Sequence, residues 1–188
     1  MSAHPRRTAA AAVKLVVTGP FAAGKTTFIR TISEITVVST EQPVSDGGGK
    51  PETTVAMDFG RITLDRELVL YLFGTPGQDR FDFMWEVLGQ GMLGYVLLVD
   101  SSRPDSLSSA SAILSAFRSM SSTPFVVALN RSAAVDHGED AQVRKALALP
   151  AEVPVLPCDA TDRDSVKSVL LSLLYAVIDQ LDRSKAPA

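Results

Sequence analysis

Val13-Lys14-Leu15-Val16-Val17-Thr18-Gly19-Pro20-Phe21-Ala22-Ala23-Gly24-Lys25-Thr26-Thr27 decides how the rest of the chain is read. An apolar, β-branched run stops at Gly19, and the eight residues from Gly19 to Thr26 then spell G-x-x-x-x-G-K-[ST]. A strand, a glycine-bounded loop and a helix in that order form a phosphate cradle, because the loop's amides and the positive end of the helix converge on one anion. Residues Phe21, Ala22, Ala23, Gly24, Lys25, Thr26 and Thr27 are therefore expected to line the phosphates. Lys25 supplies a mobile cation, and Thr26 offers a hydroxyl to Mg²⁺.

Outward from that loop the same alternation recurs. Short apolar runs at Val13 to Thr18, Gly94 to Asp100, Pro124 to Asn130 and Val153 to Pro157 are each followed by a polar loop and a helix-like stretch. Continuous runs such as Tyr95-Val96-Leu97-Leu98-Val99 suit strands buried on both faces of a parallel sheet. Thr54 to Leu64 and Glu67 to Phe73 are joined by a tight Asp65-Arg66 corner and predict an antiparallel hairpin at the sheet edge. Between the first helix and this hairpin, Glu41 to Glu52 holds three glycines and two prolines, which predicts a mobile loop with the character of a switch. From Ser165 to Leu181, apolar residues at Val166, Val169, Leu170, Leu173, Leu174, Val177, Ile178 and Leu181 form one helical stripe expected to pack on the sheet.

Composition narrows the function classes. The chain has 188 residues, enough for one domain with a substantial core. With 18 basic residues against 21 acidic, a broad nucleic-acid-binding surface is not expected. The single cysteine, Cys158, excludes an internal disulfide framework, suits a reducing compartment and is expected to be a small buried residue. No run of 18 apolar residues is present, so no integral membrane segment is expected, and a cytoplasmic location follows. His4 and His137 stand in polar stretches without metal-like neighbours and are read as exposed.

The phosphate loop, the edge hairpin and the glycine loop before a Thr-Thr pair together resemble the Ras-like small GTPases. The resemblance runs from about Lys14 to Leu181. It implies an α/β P-loop NTPase fold: a six-stranded, mostly parallel sheet with one antiparallel edge strand and helices on both faces. It also implies a G domain over residues 13–182, between tails at 1–12 and 183–188. Thr54, or alternatively Thr53, resembles the switch I threonine that binds Mg²⁺. Phe73-Gly74-Thr75-Pro76-Gly77-Gln78 is similar to switch II, in which Gly77 gives its amide to the γ-phosphate and Gln78 orients the attacking water. The family's switch II Asp is replaced here by Gly74. A hairpin turning at Asp65 and Arg66 sets Asp58 near Gly74, where its carboxylate can enter the metal shell or stand in solvent.

The base side matches less closely. Guanine-specific relatives carry Asn-Lys-x-Asp, whereas this chain has Asn130-Arg131-Ser132-Ala133. Asn130 is expected to organise the pocket and Arg131 to lay its stem over the base. Asp136 is a distant substitute for the missing carboxylate. Cys158-Asp159-Ala160 resembles the Ser-Ala-Lys segment whose backbone amide reads guanine O6, which places Asp159 and Ala160 among the nucleotide contacts.

The altered switch II resembles the bacterial conservon-type GTPases, related to the MglA-like polarity switches. That likeness implies GTP/GDP as ligand, Mg²⁺, slow hydrolysis, a role in signalling, a small roadblock-type regulator and a downstream effector. Phe21 occupies the third loop position, where a glycine commonly leaves room for a partner's arginine, so Arg80 is a candidate internal arginine acting with Gln78 and Lys25. Phe81-Asp82-Phe83-Met84-Trp85 reads as a docking face or as an inward-packing helix. A small ATP-dependent kinase and a degenerate nucleotide-binding module are the alternatives.

Overall fold

The computed structural model describes residues 11–44, 53–65, 67–76, 83–103, 105–132 and 134–185, with the backbone alone at 38–44, 53–56 and 83. In chain order the elements are β1 (Ala11–Thr18), α1 (Lys25–Ile32), β2 (Val38–Val44), β3 (Thr53–Thr63), β4 (Leu68–Gly74), α2 (Phe83–Gly89), β5 (Gly94–Asp100), α3 (Ser106–Met120), β6 (Phe125–Asn130), α4 (His137–Leu147), β7 (Val155–Cys158) and α5 (Arg163–Lys185). They build the expected α/β P-loop architecture around a mostly parallel sheet ordered β2-β3-β4-β1-β5-β6-β7.

The strand at the centre carries the phosphate loop for a simple reason. β1 pairs in parallel with both β4 and β5, so its residues are covered on two sides and on two edges. Alternation then divides the core. Leu15 and Val17, with Val96, Leu98, Val126 and Ala128, face the layer containing Phe28 and Ile29 of α1 and Val169 and Leu173 of α5. Val16, with Tyr95, Leu97, Val99, Val127 and Leu129, faces the opposite layer of α2, α3 and α4 through Trp85, Phe117 and Val143. A period of two between two apolar layers is what a continuous apolar run yields once helices cover both faces.

Three expectations change. The sheet has a seventh strand, because Val38–Val44 pairs with β3 from Val38 opposite Phe59 to Val44 opposite Thr53. Glu41 to Val44 of the glycine-rich stretch are therefore strand, and residues 45–52 lie outside the described residues. The strand running against the others is β3, one place in from the edge, since β2 lies outside it. In α5, Val166, Val169, Leu170, Leu173 and Val177 are buried, but Ile178 and Leu181 are 52% and 43% exposed. The apolar stripe is wider than the arc that meets the sheet. Cys158 is buried and His137 is exposed, as read from their surroundings. Among the described residues, no helix is long and apolar enough to cross a membrane.

Candidate functional site

The loop after β1 turns through left-handed backbone at Ala22 (φ 61°) and Gly24 (φ 102°) before α1 begins at Lys25. Gly24 is required twice over. Its φ suits a residue without a Cβ, and a Cβ there would lie 2.4 Å from Nδ2 of Asn130. Lys25 is buried, and its Nζ donates to the carbonyls of Gly19 at 2.8 Å and Pro20 at 2.7 Å. Burial lowers its pKa to about 8, partly offset by the nearby Asp58 carboxylate. Thr27 follows in α1, half-buried, while Phe21 points outward with 63% of its surface exposed.

The hairpin supplies the carboxylate. Asp58 stands directly opposite Gly74 in the β3–β4 register, near it as expected but one place on from where a two-residue Asp65-Arg66 corner would set it, because the hairpin closes from Leu64 to Leu68. From there it accepts a 2.5 Å hydrogen bond from Thr26 Oγ1. Gly74 makes this geometry possible: a Cβ at that position would meet Cδ1 of Ile29 at 2.9 Å and Cβ and Oδ2 of Asp58 at 3.0 and 3.2 Å. Space that a side chain at position 74 would fill is thus taken by Asp58, arriving from the adjacent strand. A threonine hydroxyl and one carboxylate at the end of the phosphate loop are hard oxygen donors of the kind Mg²⁺ takes beside phosphates. No denser cluster of metal-ligating side chains occurs among the described residues.

Two polar groups that the sequence does not advertise brace the site. Thr75 is buried, bonds the Thr18 hydroxyl at 2.9 Å through its own, and donates its amide to Val17, fixing the end of β4 to the end of β1. Asp100, at the end of β5, is also buried; one oxygen accepts from the amide and hydroxyl of Ser102 and the other pairs with the Arg131 guanidinium. Its only sequence signal is a charge at the end of an apolar strand.

On the base side the structure redirects several expected contacts. Asn130 does organise the loops, since Nδ2 donates to the Ala23 carbonyl at 2.8 Å and Oδ1 accepts from the amides of Ala160 at 2.9 Å and Arg131 at 3.0 Å. This occupies the Ala160 amide. The Asp159 amide is likewise taken, by Ser165 Oγ at 2.9 Å. Neither is turned out as an O6 reader. Arg131 lays its guanidinium on Asp100. Asp136 caps α4, accepting from the Glu139 amide at 2.8 Å, and so is no stand-in for the base-reading carboxylate. Trp85 packs inward, with Nε1 donating to the Pro76 carbonyl at 3.4 Å. Gly77, Gln78, Arg80, Phe81 and Asp82 lie outside the described residues, as do the side chains of Thr53, Thr54 and Phe83.

A phosphate loop on the central strand of a parallel sheet, with a carboxylate against its threonine, defines a P-loop nucleotide-binding protein. The chain belongs to the family described as "Conserved hypothetical ATP binding protein", whose profile matches residues 37–180. The match begins after the phosphate loop and takes in β3, Asp58 and both base-side loops. The chain is also similar to "Uncharacterized protein MJ1339" of Methanocaldococcus jannaschii, with 34% identity over 94 residues, covering 48% of this chain and 53% of the relative. It spans about half the length of that curated relative.

Proposed function

We propose that this chain is a nucleoside-triphosphate-dependent molecular switch with slow hydrolysis, residues 13–182 acting as its nucleotide-binding domain. GTP is the nucleotide that the Ras-like resemblance implies. The family description favours ATP as a second reading. The observation that carries the proposal is the 2.5 Å bond between Thr26 Oγ1 and Asp58 Oδ2, since both groups then stand ready at the phosphate loop.

In this reading the amides of Phe21 to Thr27 take the phosphate oxygens. Lys25 exchanges the Gly19 and Pro20 carbonyls for the β- and γ-phosphates. Thr26 and Asp58 would hold Mg²⁺ directly or through water, joined by Thr54, and the chemistry supplied there would be neutralisation of phosphate charge. Gly77 donates its amide to the γ-phosphate and Gln78 orients water. Phe21, projecting from the third loop position, obstructs an arginine arriving from outside, so a regulator of roadblock type acts by bringing Arg80 and Gln78 into place together. The effector reads the switch segments in bacterial signalling.

The nucleotide that copurifies, identified by mass after denaturation, and single-turnover phosphate release from GTP and ATP test this reading. Slow release without transfer to an acceptor is expected. Transfer to an acceptor makes the chain a small kinase, and tight binding without release makes it a degenerate nucleotide-binding module. Asp58→Asn is expected to weaken Mg²⁺ dependence far more than Asp65→Asn. Equal effects would remove Asp58 from the metal site. With the regulator present, Arg80→Ala should lose most of the stimulation, and full stimulation would discard the internal arginine.

A further inference from the structure

At the opposite end of the parallel strands from the phosphate loop, where β5, β6 and β7 begin and α3 and α4 end, lies a cleft of about 500 Å³. Tyr95 lines it. This residue is only 1% exposed, stacked on Phe125 with ring centroids 5.0 Å apart and tilted against Phe117 at the same distance. Its hydroxyl has no hydrogen-bond partner among the described residues, whereas no side-chain nitrogen or oxygen fully buried there lacks one. The accessible sliver of Tyr95 is therefore its hydroxyl, which opens into the cleft. Phenylalanine would fill the same core space without a polar atom to satisfy, so the oxygen marks a place where a polar partner arrives.

Arg118, near the end of α3, is the second group. Its guanidinium lies over the Phe125 ring at 5.3 Å, and Nη1 donates to the Leu147 and Ala148 carbonyls at 3.5 and 3.2 Å, which anchors it at the end of α4. Nε and Nη2 have no partner among the described residues. Burial holds the Tyr95 phenol protonated, with a pKa well above its ordinary value that the Arg118 charge only partly offsets, so the hydroxyl is a donor. Other polar groups of the cleft are engaged: the Ser121 and Thr123 hydroxyls bond each other, and Asp179 pairs with Arg183. Two unspent donors, one of them a charged planar fork, match a single anionic acceptor. The exposed Glu152 opposes a second negative charge on the same ligand, and Pro154 and Ala176 offer it an apolar wall.

We propose that this cleft binds a small monocarboxylate, with its carboxylate taken by the Tyr95 hydroxyl and the Arg118 guanidinium and its apolar body lying against Pro154 and Ala176. The site stands apart from the phosphate loop and does not depend on which nucleotide is bound there.

Calorimetric titration of the full chain with butyrate, butyramide, butylamine and inorganic phosphate tests the proposal. Butyrate is expected to bind, and each of the other three to bind at least about tenfold more weakly, because a charge-assisted pair to a monoanion is lost or opposed. Tyr95→Phe keeps both ring contacts and removes one oxygen, and it should weaken butyrate by about tenfold while the chain stays folded. Arg118→Lys keeps the charge and loses the fork, and should weaken butyrate by a similar factor. Butyrate should also raise the Tm of the wild type more than that of Tyr95→Phe. Butyramide or phosphate binding as tightly as butyrate overturns the proposal, as does a Tyr95→Phe chain that binds butyrate normally. No butyrate binding at millimolar concentrations would show that water alone meets the Tyr95 hydroxyl, and the proposal would fall.

Discussion

The two halves of the site are built on different principles. At the phosphate loop the bonds run from side chains: Lys25 donates to the loop carbonyls of Gly19 and Pro20, and Thr26 donates to Asp58. On the base side, Asn130, Ala160 and Asp159 are locked into bonds that hold the loops themselves. Groups of the first kind can be handed to a ligand at little loss, because each exchange replaces one polar partner by a better one. Groups of the second kind serve as scaffold. Among the described residues, polar side chains gather at the phosphate loop, while those of the loops after β6 and β7 are spent on holding the loops.

That contrast breaks most directly at Lys25. Lys25→Ala should weaken nucleotide binding by about a hundredfold or more, since charge-assisted contacts to two phosphates are lost. Near-normal affinity in a direct titration would show that the phosphate loop is not the binding site. Asn130→Ala tests the other half. It strips a buried carbonyl and a buried amide of partners at once, so unfolding in urea should report a loss of about 3 kcal/mol even without nucleotide. A loss below about 1 kcal/mol would mean that the base-side loops are not held from Asn130.

How much of this was written in the sequence depends on how local the cause is. β1, β5 and β6 were legible because burial on both faces forces unbroken apolar runs, and the Asp65-Arg66 corner brought Asp58 to within one place of its true partner Gly74, the hairpin being one residue longer than a two-residue turn. β2 was not, because Val38-Ser39-Thr40-Glu41-Gln42-Pro43-Val44 has neither an apolar run nor freedom from proline, and its pairing comes from β3. Asn130 was legible as an organiser, but its partners Ala23 and Ala160 contribute backbone atoms, which leave no trace in residue identity. Asp136 gave the opposite error: a carboxylate three residues beyond the motif invites a ligand role, while Glu139 three residues on marks a helix cap. Ile178 and Leu181 follow the same spacing as their packed neighbours, and periodicity cannot say where the covered arc ends.

The exchange of carboxylate between strands can be sharpened with Gly74. Gly74→Asp should destabilise the fold by about 2 kcal/mol through crowding of Ile29 and Asp58, and Asp58→Gly in the same chain should relieve most of it. Absence of relief in thermal unfolding would mean that the two positions do not share one space. The smallest effect concerns pH. With a pKa lowered to about 8, unliganded Lys25 sheds its proton as pH rises through that value, while phosphate oxygens hold it protonated. Nucleotide affinity should fall by about tenfold between pH 7 and 9, with proton uptake visible as a buffer-dependent binding enthalpy. The unliganded fold has the reverse trend: it binds fewer protons at Lys25 than the unfolded chain does between about pH 8 and the ordinary lysine value, so its stability rises across that window. Lys25→Met should abolish both trends.

β3 is longer than its inner neighbour. Only Asp58 to Thr63 pair with β4, whereas Thr53 to Phe59 pair with β2, so the two registers share no more than Asp58 and Phe59. Beyond Asp58 the β2–β3 ribbon is stitched to itself and overhangs the end of the sheet where Thr26 lies. The last β3–β4 pair, Asp58 with Gly74, is the junction at which that ribbon leaves the sheet, so the carboxylate bonded to the phosphate loop sits where the two registers meet.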